Sequence, residues 1–217
     1  MLKTYVHVFQ NPSADPSPQP TVSRDPLSPV LLLLHGTGGD EHELLSLGEK
    51  LLPSAPLLSL RGNINEAGMP RFFRRIAPGV FDLDDALRRA GELAAFITTA
   101  RPHYELGSRP IIAVGYSNGA NIAHCLLLRH PGILQGAILL RPMVVLPPPD
   151  TTGLSGTPAL LLCGSNDPTV PKGQPEQLAT RIATAGGDPD LRYTAESHGL
   201  VQQDIREARE WLTETAI

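Results

Sequence analysis

A chain of 217 residues with 41% hydrophobic content can bury one sizeable core and is at the upper end for one domain, so residues 1–217 are read as a single unit. A formal charge of −4 offers no basic field for nucleic acid or an anionic membrane surface, which removes both from the expected partners. The two cysteines, Cys125 and Cys163, sit in apolar stretches and suggest no disulfide framework. No apolar run is long enough for stable membrane insertion, and the expected location is cytoplasmic.

Residues 3–9 carry Tyr5, Val6, Val8 and Phe9 in a short segment that predicts an edge strand. Residues 11–29 follow with six prolines, which can neither propagate a helix nor pair centrally in a sheet, and are expected to form a surface connection. Residues 29–35 are a continuous apolar run, the mark of a strand covered on both faces. It ends in the loop Gly36-Thr37-Gly38-Gly39. Asp40 and Glu43 then resemble a capping box opening a helix with Leu44, Leu45, Leu47 and Leu51 as its apolar positions.

Another strand is expected at 56–60. Residues 63–80 show no usable periodicity and are long for a loop, which hints at function. A helix is expected at 82–99, capped by Asp82, with Leu83, Leu87, Ala90, Ala94 and Ile97 as its inner stripe. Strands at 111–114, 136–140, 158–163 and 191–194 alternate with helices after residue 119 and at 175–185 and 200–212. That alternation argues a doubly wound, mostly parallel α/β sheet of about seven strands flanked by helices.

The chemistry centres on Gly115-Tyr116-Ser117-Asn118-Gly119, a sharp turn between a buried strand and a helix. A serine at such a tip is held in strained backbone with its hydroxyl exposed. A serine hydroxyl needs a histidine to take its proton and an acid to hold that histidine's tautomer. Asp167 directly follows the 158–163 strand, and His198 lies between the last strand and the last helix. The order Ser117, Asp167, His198 is the one α/β-hydrolases use. Asp188 and Asp190 are expected before the last strand, facing the wrong end. The other histidines precede Asp167 or sit in elements with no route to the site, and His35 is read as orienting its loop.

Two backbone N–H groups must meet the oxyanion of acyl transfer. Asn118, following the nucleophile, supplies one, and the 36–39 loop supplies the other, with Thr37 first choice and Gly38 second. That loop matches neither phosphate-binding glycine pattern. The candidate pocket residues are Gly38, Met69, Phe72 and Tyr116. Arg71, Arg74 and Arg75 are expected to pair with Asp82, Asp84 and Asp85 rather than serve the pocket.

His35-Gly36-x-Gly38-Gly39-Asp40-Glu41, Arg61-Gly62, Gly68-Met69-Pro70-Arg71-Phe72-Phe73-Arg74-Arg75, Gly115-Tyr116-Ser117-Asn118-Gly119-Ala120-Asn121, Asp167-Pro168 and Ser197-His198-Gly199 together resemble the phospholipase/carboxylesterase family of small α/β-hydrolases, in its bacterial carboxylesterase-like branch. The resemblance spans about residues 30–212. It implies an α/β-hydrolase fold and a Ser117, Asp167, His198 triad cleaving a small-molecule ester through an acyl-enzyme. It also implies no metal or organic cofactor, and a monomer or homodimer without a large lid. The acyl-protein thioesterase branch has leucine where this chain has Thr37, which argues against long-chain acyl thioesters. The alternatives are a thioesterase or lysophospholipase-like enzyme, a dienelactone-type hydrolase, whose cysteine nucleophile is serine here, and a catalytically silent ligand-binding relative.

Overall fold

The computed structural model describes residues 4–11, 28–148 and 153–215. Residues 12–27 of the expected proline-rich connection lie outside the described residues. In chain order the elements are β1 (His7–Gln10), β2 (Val30–Leu34), α1 (Leu45–Leu51), β3 (Leu57–Leu60), β4 (Ile64–Glu66), β5 (Met69–Arg71), β6 (Arg75–Ala77), β7 (Val80–Phe81), α2 (Leu83–His103), β8 (Ile111–Tyr116), α3 (Asn118–Arg129), β9 (Gly136–Leu140), β10 (Pro158–Gly164), α4 (Gln174–Thr184), β11 (Asp188–Thr194) and α5 (Gln202–Glu214).

Among the described residues the main sheet has seven strands in the order β1-β3-β2-β8-β9-β10-β11. Only the β1–β3 pair is antiparallel. The apolar runs are buried because both faces are covered: Leu32 and Leu34 join the core with α2, α3 and α4, while Leu31 and Leu33 pack with α1 and α5, against Trp211 and Ala208. Every strand of the parallel part ends at the same edge, and the loops that follow β2, β8, β10 and β11 gather there. None of the described helices is long and apolar enough to cross a membrane.

Four local expectations are corrected. Asp40 does not open a helix: its Oδ1 accepts from His42 N at 2.8 Å in a turn, and α1 starts only at Leu45 without a side-chain cap. In α2, Asp82 caps as expected, accepting from Asp85 N at 3.0 Å. Its inner stripe, however, runs through Ala86, Ala90, Leu93, Ala94 and Ile97, and Leu83 and Leu87 are exposed. Residues 63–80 are not an irregular loop but two short antiparallel ribbons, β4–β5 and β6–β7. β11 begins at Asp188 rather than residue 191, so Asp190 lies on the strand, where it pairs with Arg192 at 2.7 Å.

Candidate active site

The turn between β8 and α3 is built by exclusion. Ser117 adopts φ 51°, ψ −110°, a left-handed conformation that costs an L-residue of order 1–3 kcal/mol and persists only where its surroundings enforce it. They do, because Ser117 N donates to Leu140 O at 2.8 Å and Ser117 O accepts from Asn121 N at 3.0 Å. A Cβ on Gly115 would stand 2.5 Å from Gly119 O, and one on Gly119 would overlap the Leu34 carbonyl. Only glycine at both positions lets α3 start so close to β8 and β2.

His198 Nε2 lies 2.9 Å from Ser117 Oγ, and its Nδ1 lies 2.7 Å from Asp167 Oδ2. The Asp167 side chain is 2% exposed, and its other oxygen accepts from Thr169 N at 2.7 Å and Val170 N at 3.3 Å, which fixes the carboxylate plane. The loops after β10 and β11 are stitched together by Ser165 N to Thr194 O (2.9 Å), Asn166 N to Glu196 O (3.0 Å) and Asn166 Nδ2 to Ala195 O (2.9 Å). A side chain on Gly164 would overlap the Ser197 carbonyl.

Sequence reasoning missed Arg141, the residue after β9. Its fully buried guanidinium donates to Ser197 O and Gly199 O, each at 3.0 Å, so it grips the backbone on both sides of His198. Asp204 neutralises it at 2.9 and 2.8 Å, and in turn accepts from Val201 N at 2.8 Å. A buried charge with every partner supplied is stable only in that one arrangement, which fixes the histidine's loop. The only signal in the sequence was an arginine ending an otherwise apolar run, and that does not reveal a partner 63 residues away.

The loop after β2 folds back over the serine. His35 is buried, and burial pushes its pKa below the ordinary histidine value. Its Nε2 accepts from Gly62 N at 2.9 Å, so the ring proton sits on Nδ1 and donates to Gly36 O at 2.5 Å. The expected orienting role therefore has a concrete form, a neutral imidazole bridging two turns. Glu41 and Arg61 clamp the same loop through hydrogen bonds of 2.5 and 2.8 Å.

Gly38 N is consumed by Pro70 O at 2.9 Å, whereas Thr37 N makes no hydrogen bond among the described residues. Asn118 opens α3, where a backbone N–H has no intrahelical acceptor. Its side-chain oxygen accepts from Phe72 N at 2.7 Å and so holds the β5 end of the first ribbon.

A cavity of about 570 Å³ opens in front of these groups, with Thr37, Tyr116, Ser117, Asn118 and His198 on one wall. Of the candidate pocket residues, Tyr116 lines it and donates to His198 O at 3.2 Å. The other three do not: Phe72 is buried against the His35 ring, and Met69 turns outward over Gly38. The expected arginine pairings fail for two of three. Arg74 approaches Asp85, but Arg71 and Arg75 reach Glu66 and line the cavity.

No protein-family model matches the chain. MhqD, a hydrolase-type protein of Bacillus subtilis (strain 168), is 43% identical over 188 residues, covering 87% of this chain and 94% of that protein. The crystal structure of the Bacillus cereus carboxylesterase is 38% identical with a TM-score of 0.89, over 98% of this chain and 95% of the other. YahD, solved with malic acid, is 32% identical with a TM-score of 0.85, over 97% and 99% of the two chains. The fold, the turn around Ser117 and these likenesses agree: the chain belongs to the phospholipase/carboxylesterase family of small α/β-hydrolases.

Proposed function

We propose that the protein hydrolyses carboxylic esters of small to medium size through a serine acyl-enzyme, with Ser117 as nucleophile, His198 as general base and acid, and Asp167 as the group that orients His198. The observation that carries this reading is the unbroken chain from Ser117 Oγ to His198 Nε2 (2.9 Å) and from His198 Nδ1 to Asp167 Oδ2 (2.7 Å), at the wall of an open cavity.

His198 accepts the Ser117 proton as Oγ attacks the ester carbonyl carbon. The oxyanion that forms is met by the N–H groups of Thr37 and Asn118, both without acceptors among the described residues, and by the positive end of α3. His198 then returns the proton to the leaving alkoxide, which departs as the alcohol and leaves the acyl group on Ser117. A water deprotonated by His198 adds to the acyl carbon, the acid leaves, and Ser117 recovers its proton. Asp167 keeps its charge throughout and stabilises the imidazolium. Every group used belongs to the chain or to water.

The test is hydrolysis of 4-nitrophenyl butyrate by the wild-type protein and by Ser117→Ala. The variant should keep the wild-type circular dichroism spectrum and lose roughly 1,000-fold or more in kcat. A folded variant that retains the wild-type rate would remove Ser117 from the mechanism.

A further inference from the structure

The cavity in front of Ser117 is electrically lopsided. Among the described residues lining it, Arg71 and Arg75 are cationic and none is a carboxylate. One carboxylate serves both arginines from outside the lining: Glu66 Oε1 accepts from Arg75 Nε at 2.7 Å, and Glu66 Oε2 lies 3.1 Å from Arg71 Nε. Two guanidinium charges share one neutralising charge, and the remaining positive charge faces the cavity.

Arg71 is the more telling of the two. Only 3% of it is exposed, and burying a guanidinium is expensive unless its donors are used. Its Nε donates to Phe73 O at 3.2 Å and its Nη1 to Thr37 Oγ1 at 2.6 Å. Nη2 has no protein acceptor among the described residues and is not sealed in the interior, so its open donors reach the cavity. A planar guanidinium with a free edge suits a carboxylate.

The side of the scissile bond follows from the same contacts. The leaving oxygen must lie within reach of His198 Nε2, which protonates it. Arg71 instead hydrogen-bonds the Thr37 side chain on the oxyanion loop and makes no hydrogen bond to His198 among the described residues, so the acyl chain is assigned to its side. We infer that Arg71 and Arg75 bind a carboxylate at the far end of a short acyl chain, so that the preferred substrates are monoesters of short dicarboxylic acids. This inference rests on the esterase reading above and names the substrate class for that site.

The experiment compares kcat/KM for the mono-4-nitrophenyl esters of succinate, glutarate and adipate with those for 4-nitrophenyl pentanoate, hexanoate and heptanoate. It uses the wild-type protein, Arg75→Gln and Glu66→Gln. At the best-fitting length the wild type should favour the charged ester, mainly through KM, and added salt should shrink that preference. Arg75→Gln should lower the charged-to-neutral ratio roughly tenfold, and Glu66→Gln, which frees guanidinium charge, should raise it by a similar factor. Both variants break the same Arg75–Glu66 pair between the two ribbons, so a merely structural role would slow both ester classes together and leave the ratio in place. Cleavage of both classes with a ratio that neither variant moves would overturn this inference alone. Cleavage of neither class by the wild-type protein would overturn the esterase reading and this inference with it.

Discussion

The turn carrying Ser117 and the ribbons of residues 64–81 face each other across one cavity, yet they are held in place by opposite means. The turn is a steric object: two glycines, a serine at positive φ and three backbone strands meet with no room for a single added carbon. The ribbons are held from outside. Phe72 and Phe73 anchor their junction in the core, while Ile76 at 75% exposure and Val80 at 51% reach solvent, and side-chain bonds from Glu66, Thr37 and Asn118 fix the rest. The serine turn is set by backbone overlap, and the arginine wall of the cavity is set by side-chain pairing that substitution can alter without unmaking the fold.

Gly119→Ala should be the most damaging change, because its Cβ would meet backbone atoms of Leu34 and His35, which cannot rotate away as a side chain can. A loss of more than about 4 kcal/mol is expected, read as a drop in the urea midpoint or as failure to accumulate soluble protein. Wild-type stability in that variant would show that α3 moves as a unit and that the turn is not sterically fixed. Arg141→Leu comes next, since it strands Asp204 as a buried unpaired charge and releases the carbonyls beside His198. A destabilisation of about 3–5 kcal/mol is expected, with ester hydrolysis falling further than the folded fraction alone explains. The companion Asp204→Asn should bring a related loss, because Arg141 then becomes the unpaired charge. At the small end, Ile76→Ser on the exposed ribbon should leave the urea midpoint within about 0.5 kcal/mol of wild type. A large loss there would erase the contrast between the two regions.

That contrast also explains what could be read in the sequence. Continuous apolar runs such as Val30–Leu34 announce strands buried on both faces, and the chain order of Ser117, Asp167 and His198 reflects the order in which the parallel strands deliver their loops. Thr37 is proposed because the loop after the strand ending at residue 34 faces the serine turn, and its N–H makes no hydrogen bond among the described residues. The ribbons were not, since three-residue strands with outward side chains carry no periodicity. The pairing of Arg71 and Arg75 with Glu66 rather than Asp82, Asp84 or Asp85 depends on the β4–β5 turn, which charge spacing along the chain does not encode. The stripe of α2 was right at Ala90, Ala94 and Ile97 and wrong at its start, where the small Ala86 is buried on the helix that packs against α3 and the larger Leu83 and Leu87 are left outside.

The central claim is that one serine, activated by His198, carries the chemistry. Mass spectrometry of the intact and digested protein after treatment with a fluorophosphonate tests it most directly, because the reagent bonds rapidly only to a serine whose proton is being withdrawn. One adduct per chain, located on Ser117 and lost in both Ser117→Ala and folded His198→Ala, is the predicted result. No adduct on the wild-type protein, or an adduct on another residue, would contradict the account.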